Sequence, residues 1–170
     1  CDLKYGTGEA SEIAPRQVLI KIIELLKEDN LKAIVAPELE FYLCEQNLDP
    51  DLPLKTPVGK SGRRETGSRV FGIDAVNEFD ALTDDIYDYC ELMEIGVDTL
   101  VHESGPSQIE INLNHGDPLA LADQAFMFKR AVRQVALKHG IHATFMAKPY
   151  QGQPGSSMHI HQNLVSTKTN

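Results

Sequence analysis

The chain has 170 residues, 42% of them hydrophobic, with 25 acidic against 16 basic side chains and a formal charge of −9. That length supports one substantial core, and that charge argues against nonspecific binding to nucleic acid or to an anionic membrane, which needs a basic footprint. There is no apolar run of transmembrane length and no signal peptide. The three cysteines, Cys1, Cys44 and Cys90, are scattered and lack zinc-type spacing, so they read as free thiols in a reducing, cytoplasmic compartment. The chain opens on Cys1-Asp2-Leu3 without an initiator Met and stops at Lys168-Thr169-Asn170; a piece of a larger protein is expected.

From Pro15 to about Asp29 the pattern predicts an amphipathic helix. Pro15 suits a first turn, and Val18, Leu19, Ile22, Ile23, Leu25 and Leu26 form a stripe at helical spacing. A strand follows over about 33–43, with Pro37 in tension because proline is tolerated in strands mainly at edges or bulges. Residues 45–72 are rich in Pro, Gly and charge and predict a solvated or mobile loop; its Lys55, Lys60, Arg63, Arg64 and Arg69 are available to phosphate or a partner. Asn77 can cap a second helix to about Glu94, with Leu82, Ile86, Tyr89, Cys90 and Met93 as its buried stripe and Gly96 placed to end it. Two strands, over 97–103 and 107–114, flank Gly105-Pro106 as a hairpin. In the second, Gln108, Glu110 and Asn112 share one face, and Ile109, Ile111 and Leu113 the other, as in a sheet with one dry and one wet face. Asp117-Pro118 starts a long helix to about His139, closed by Gly140. Strands over 141–148 and 157–164 complete the chain. Five strands and three helices in irregular order predict an α+β fold, mainly antiparallel, with helices packed on one face of the sheet.

The chemistry lies in two ligand sets. Side chains two apart on a strand share a face, so Glu38 and Glu40 point one way, as do His159 and His161, while Leu39, Phe41 and Ile160 point the other. Alternating Glu on one strand is most often a solvated face, and His159-x-His161 alone is balanced between a metal pair and a polar strand. Here Glu38 with Glu40, then Glu103, Glu110 and His159, fall on polar faces of successive strands of one small sheet. Carboxylates with imidazole are the ligand set of Mg²⁺ or Mn²⁺. A phosphate-binding glycine loop is excluded, because Lys148 precedes the glycines and a strand follows them. Gly155 instead suits a close backbone approach to a ligand. A Ser–His–Asp scheme can be assembled from Ser156, Ser157 and the histidines, but nothing fixes its geometry.

These residues also form motifs. The run 36–43, Ala-Pro-Glu-Leu-Glu-Phe-Tyr-Leu, resembles the Gly-Pro-Glu-x-Glu-Phe strand of glutamine synthetases. Residues 103–110 resemble the family's Glu…Gly-Gln-x-Glu hairpin, and 148–161 its Lys-Pro…Gly-Ser-Gly-Met-His-x-His segment. Three motifs in order cover most of the chain. Pro154 and Ser157 depart from the usual Asn and Gly, and the text from His102 to Gln124 looks closer to the γ-glutamylpolyamine (γ-glutamylputrescine) synthetase branch.

The resemblance implies the N-terminal part of a catalytic domain, without the family's small β-grasp domain or its downstream arginines. It implies one Mg²⁺ or Mn²⁺ held by Glu40, Glu103 and Glu110, and a second by Glu38 and His159. Gly155 and His159 are implied at the glutamate, and His161 and Asn163 at ATP. The implied reaction is a ligation in which ATP phosphorylates the γ-carboxylate of glutamate and ammonia or a primary amine displaces phosphate. A double-ring homo-oligomer is implied for the full-length protein, and inactivity for the 170 residues alone. No residue of the chain is singled out as catalytic. The rivals are a two-metal hydrolase, disfavoured because such sites carry more His and Asp in tight motifs, and an inert homologue, which has no physical need for clustered carboxylates.

Overall fold

The computed structural model describes residues 2–168. Its elements, in chain order, are α1 (Pro15–Glu28), β1 (Leu31–Glu45), α2 (Ile73–Asn77), α3 (Asp80–Leu92), β2 (Val97–His102), β3 (Gln108–Leu113), α4 (Pro118–Lys138), β4 (Ile141–Thr144) and β5 (Met158–Ser166). Every ladder between these strands is antiparallel, so the fold is α+β with a mainly antiparallel sheet.

β1 organises the sheet. Fifteen residues at about 3.3 Å each span ~50 Å, long enough to serve three partners. β3 pairs with its residues 38–42 on one edge. On the other edge β5 takes residues 31–39 and β4 residues 42–45; β2 lies outside β3. Pro37 sits inside β1 without breaking it, for a reason that resolves the tension in the sequence. Val35 N–H donates to Gly116 on the β3 side at 3.0 Å. Donors alternate along a strand, so position 37 turns its nitrogen to the same side, between that bridge and the Glu38–Asn112 pair. There the neighbouring segment takes one residue more than β1, a bulge of the kind at which a strand tolerates proline.

The alternation of β1 divides the molecule. Leu39, Phe41 and Leu43 join Ile109, Ile111 and Leu113 of β3 against Leu82, Ile86 and Cys90 of α3 and Phe128, Val132 and Val135 of α4. Phe145 closes this core, 5.1 Å from the Phe41 ring and 6.4 Å from Phe128. The carboxylates lie on the opposite face. α4 has the termini its sequence foretells: Asp117 caps it by accepting from the amides of Leu119 and Ala120, and Gly140 leaves it at φ 73°.

The α2–α3 region differs from expectation. Asn77 is the last residue of the short α2 and caps nothing, and α3 begins at Asp80 after Phe79. Tyr89 is exposed rather than buried, because Leu82, Ile86 and Cys90 already fill the face toward α4. Gly96 does not end the helix. The terminator is Glu94 at φ 56°, with Ile95 N–H bonded to Cys90 O and Glu94 N–H to Glu91 O, the paired bonds of a Schellman turn. Gly96 is small for another reason: a Cβ there would come within 2.7 Å of Asn114 Nδ2. β4 is also shorter than predicted, its chain leaving the sheet after Thr144.

Residues 46–72 carry no helix or named strand, as composition foretells. They are nonetheless tied down. Lys60 pairs with Asp80 at 2.5 Å, Arg64 with Glu45, and Glu65 reaches beneath the β2–β3 hairpin. Cys44 and Cys90 are buried free thiols, which burial pushes up to about 11, so both stay protonated and unreactive. Cys1 lies outside the described residues. Among those residues no helix is long and apolar enough to cross a membrane.

Candidate metal centre

Register places the ligand candidates. Glu40 stands directly opposite Glu110, and Glu38 directly opposite His159. Glu103, one residue beyond β2, is aligned by its N–H donating to Gln108 O at 2.8 Å. Two clusters result. In one, ligand atoms of Glu40, Glu103 and Glu110 all lie within 4.8 Å of one another; in the other, those of Glu38, Glu110 and His159 do so. Glu110 belongs to both. The sequence reading paired Glu38 with His159 alone, and Glu110 is the third member that cross-strand register adds.

The electrostatics are those of an anion cluster without a protein cation. Like charges opposite each other in a ladder destabilise it, and none of the ion pairs among the described residues involves Glu40, Glu103 or Glu110. Burial, then the charges of Glu38 and Glu103, hold the Glu110 carboxyl above the usual carboxylate range. Such crowding is costly unless a cation joins it. The all-oxygen donor set of the first cluster and the oxygen–imidazole set of the second both fit Mg²⁺ or Mn²⁺.

The two clusters are supported differently. Glu40 is 7% exposed, and its Oε2 accepts from Gln108 Nε2 and from Ser157 N, both at 3.0 Å. Glu103 Oε2 accepts from Ser104 N at 2.8 Å. Glu38, by contrast, accepts from two exposed histidines, His159 Nδ1 at 3.2 Å and His161 Nε2 at 2.7 Å. His161 and Asn163 follow His159 on the same face of β5. They line a groove of about 460 Å³ with Ile34, Ala36 and His115.

Behind the hairpin, Glu65 Oε2 accepts from Ser107 N at 2.5 Å and shares a hydrogen bond of 2.9 Å with His102 Nε2, while His102 Nδ1 donates to Glu103 O at 2.7 Å. Glu65 thus reaches the backbone of Glu103 through one buried imidazole. Nothing in its loop's composition marks it. Gln108 and Tyr42 were likewise unassigned, although their positions on the face of Glu40 follow from alternation. Tyr42 is wholly buried, its O–H donating to Pro154 O at 2.8 Å. Burial and the Glu40 and Glu103 charges push this phenol up to about 12, so it remains a donor.

Gly155 is confined by its own chain. A Cβ there would lie 2.7 Å from Ala147 O, and its carbonyl accepts from Gln108 Nε2 at 2.9 Å. A close backbone contact at Gly155 is made within the chain, at residue 147. Ser156 and Ser157 serve the same turn through their amides, donating to Ala147 O and Glu40; among the described residues neither hydroxyl is bonded to a histidine, and His159 and His161 turn to Glu38 instead, so the Ser–His–Asp scheme has no geometric support.

Residues 12–170 match the glutamine synthetase catalytic-domain family. The chain is 40% identical over 163 residues to gamma-glutamylputrescine synthetase PuuA of Escherichia coli, covering 95% of this chain and 34% of that protein. It is 34% identical over 160 residues to the glutamine synthetase of Pyrococcus horikoshii, covering 94% and 34%. The fold superimposes on the ligand-free structure of GmaS with a TM-score of 0.81 at 24% identity, covering 99% of this chain and 38% of that one. The chain spans about a third of the length of the curated relatives it matches. With motif order, sheet register and the family match in agreement, the chain belongs to the glutamine synthetase catalytic-domain family.

Proposed function

We propose that this chain is part of the catalytic domain of an ATP-dependent ligase. The ligase forms a γ-glutamyl amide from glutamate and an amine through a γ-glutamyl phosphate. The observation that carries the reading is the pair of carboxylate clusters sharing Glu110 on the open face of the sheet. Glu40, Glu103 and Glu110 would hold one divalent cation, and Glu38, His159 and Glu110 the other. Bound Mg²⁺ or Mn²⁺ supplies charge neutralisation where phosphoryl and carboxylate oxygens crowd together.

The chain's own residues fix the frame. Ser157 and Gln108 orient Glu40, Ser104 orients Glu103, and Tyr42 holds the turn at Pro154 beside them. In this reading Gly155 and His159 border the glutamate site, and His161 and Asn163, lining their groove, border ATP. A primary amine or polyamine is favoured as acceptor over ammonia by the closer match to a gamma-glutamylputrescine synthetase than to a glutamine synthetase. The same proposal includes a homo-oligomeric full-length protein in the cytoplasm, to which the free buried thiols of Cys44 and Cys90 are suited, and inactivity of the 170 residues alone.

The test is an amine panel on the full-length protein: ammonia, putrescine, ethanolamine and longer polyamines, with glutamate, ATP and Mg²⁺. Amine-dependent phosphate release with γ-glutamyl amide formation is expected, greatest with a diamine. Ammonia outperforming every amine would reverse the acceptor assignment. No glutamate-dependent phosphate release with any acceptor would remove the ligase reading.

A further inference from the structure

Gln108 lies on the site face of β3, where solvent exposure is expected of a polar side chain, yet it is fully buried. Its amide makes three hydrogen bonds, using both of its N–H donors. Oε1 accepts from Gly105 N at 2.8 Å, and Nε2 donates to Glu40 Oε2 at 3.0 Å and to Gly155 O at 2.9 Å. One side chain therefore joins the β2–β3 hairpin, the carboxylate of β1 and the glycine turn before β5. Only a primary amide of this length meets the demand, with an acceptor on one branch and two donors on the other. A carboxylate there would face both a carboxylate and a carbonyl oxygen. An apolar side chain would leave Gly105 N and Gly155 O without their partner at substantial cost.

We propose that Gln108 is the positioning residue of the Glu40/Glu103/Glu110 centre. With Ser157 N, it occupies Oε2 of Glu40, which leaves Oε1 without a hydrogen-bond donor among the described residues and available to a cation. Through Gly155 it also sets where the turn stands relative to that oxygen. Carboxylate and turn are thereby placed as one unit, the second-layer bracing that tunes metal affinity in other proteins. The inference rests on the metal reading above and deepens it.

The experiment titrates Mn²⁺ into the full-length protein, without nucleotide or substrate, following free Mn²⁺ by EPR and folding by circular dichroism. Gln108→Glu keeps size and the Gly105 bond but removes the donor; Gln108→Met removes all three bonds. Both are expected to weaken the tighter Mn²⁺ site by roughly 10–100-fold and to alter the line shape of the bound ion. If the Met variant does not fold, Gln108→Asn, too short to reach Glu40 and Gly155 together, serves in its place with the same expectation. Folded variants that lose thermal stability but keep wild-type Mn²⁺ affinity and line shape overturn this inference alone. Failure of the unaltered protein to bind Mn²⁺ overturns the metal reading and this inference with it.

Discussion

The two carboxylate clusters share a sheet face and one residue, but they are built to different standards. Glu40 and Glu103 sit where β1, β3 and the hairpin are sealed from behind by the core, and backbone amides and Gln108 fix their oxygens. Glu38 and His159 sit where β1 meets β5, a strand exposed along its whole length, and histidines that are themselves 57% and 66% exposed supply the hydrogen bonds. The first cluster is prepared before any ligand arrives. The second must pay for order when its ligand binds. Hydrogen bonds to exposed side chains, such as Glu38–His161, contribute little on their own, so the fold alone does not rigidify that half.

Glu110 ties the halves together, and removing it has the largest expected effect. Glu110→Gln should abolish or severely weaken both Mn²⁺ sites, whereas Glu103→Gln and His159→Ala should each remove one; Mn²⁺ stoichiometry reads the difference directly. If Glu103→Gln and His159→Ala each abolish both sites, the clusters are not separable. The same Gln variant carries a pH signature. The Glu110 carboxyl is raised in the folded state, so its protonated form favours folding below the unfolded value of about 4.3, and that contribution is lost as pH rises through the raised folded value. In EDTA at neutral pH, Glu110→Gln should therefore melt higher than the unaltered protein, and the advantage should vanish toward acidic pH.

Stability separates the two regions further. Ile111→Ala, behind the braced cluster and fully buried, should cost about 2–5 kcal/mol in denaturant unfolding. Tyr42→Phe removes the bond to Pro154 O and should cost about 1 kcal/mol. Ile160→Ala on β5, half exposed, should change unfolding by less than about 0.5 kcal/mol. A large loss at Ile160 with little at Ile111 would invert the contrast.

Much of this was legible in sequence where one local rule acts alone. The faces of β1 and β3 follow from alternation, and α4 from Asp117-Pro118 and Gly140. Where two demands compete, the sequence misled. Asn77 has the chemistry of a cap, but the short α2 absorbs it; Gly96 looks like a terminator, yet it makes room for Asn114 while Glu94 takes the left-handed turn. At the site, the ligand candidates were readable because motif and period agree. The sharing of Glu110 was not, since it depends on cross-strand register. Glu65 was illegible for a related reason: its partners, His102 and Ser107, are 37 and 42 residues away, and nothing local selects one glutamate from a charged loop.

The length of β1 has a consequence beyond its pairings. Three strands take their alignment from it, so it acts as a ruler for the sheet. A single residue inserted between Pro37 and Tyr42 would reverse which side chains face the core on one side of the insertion. Carboxylates would turn into the apolar interior and Leu39 or Phe41 out of it, and β3 and β5 would lose their common reference. The tip of the β2–β3 hairpin and the turn before β5 are tied to each other through Gln108, and both take their place from β1. Both halves of the centre therefore stand or fall on the length of one segment of six residues.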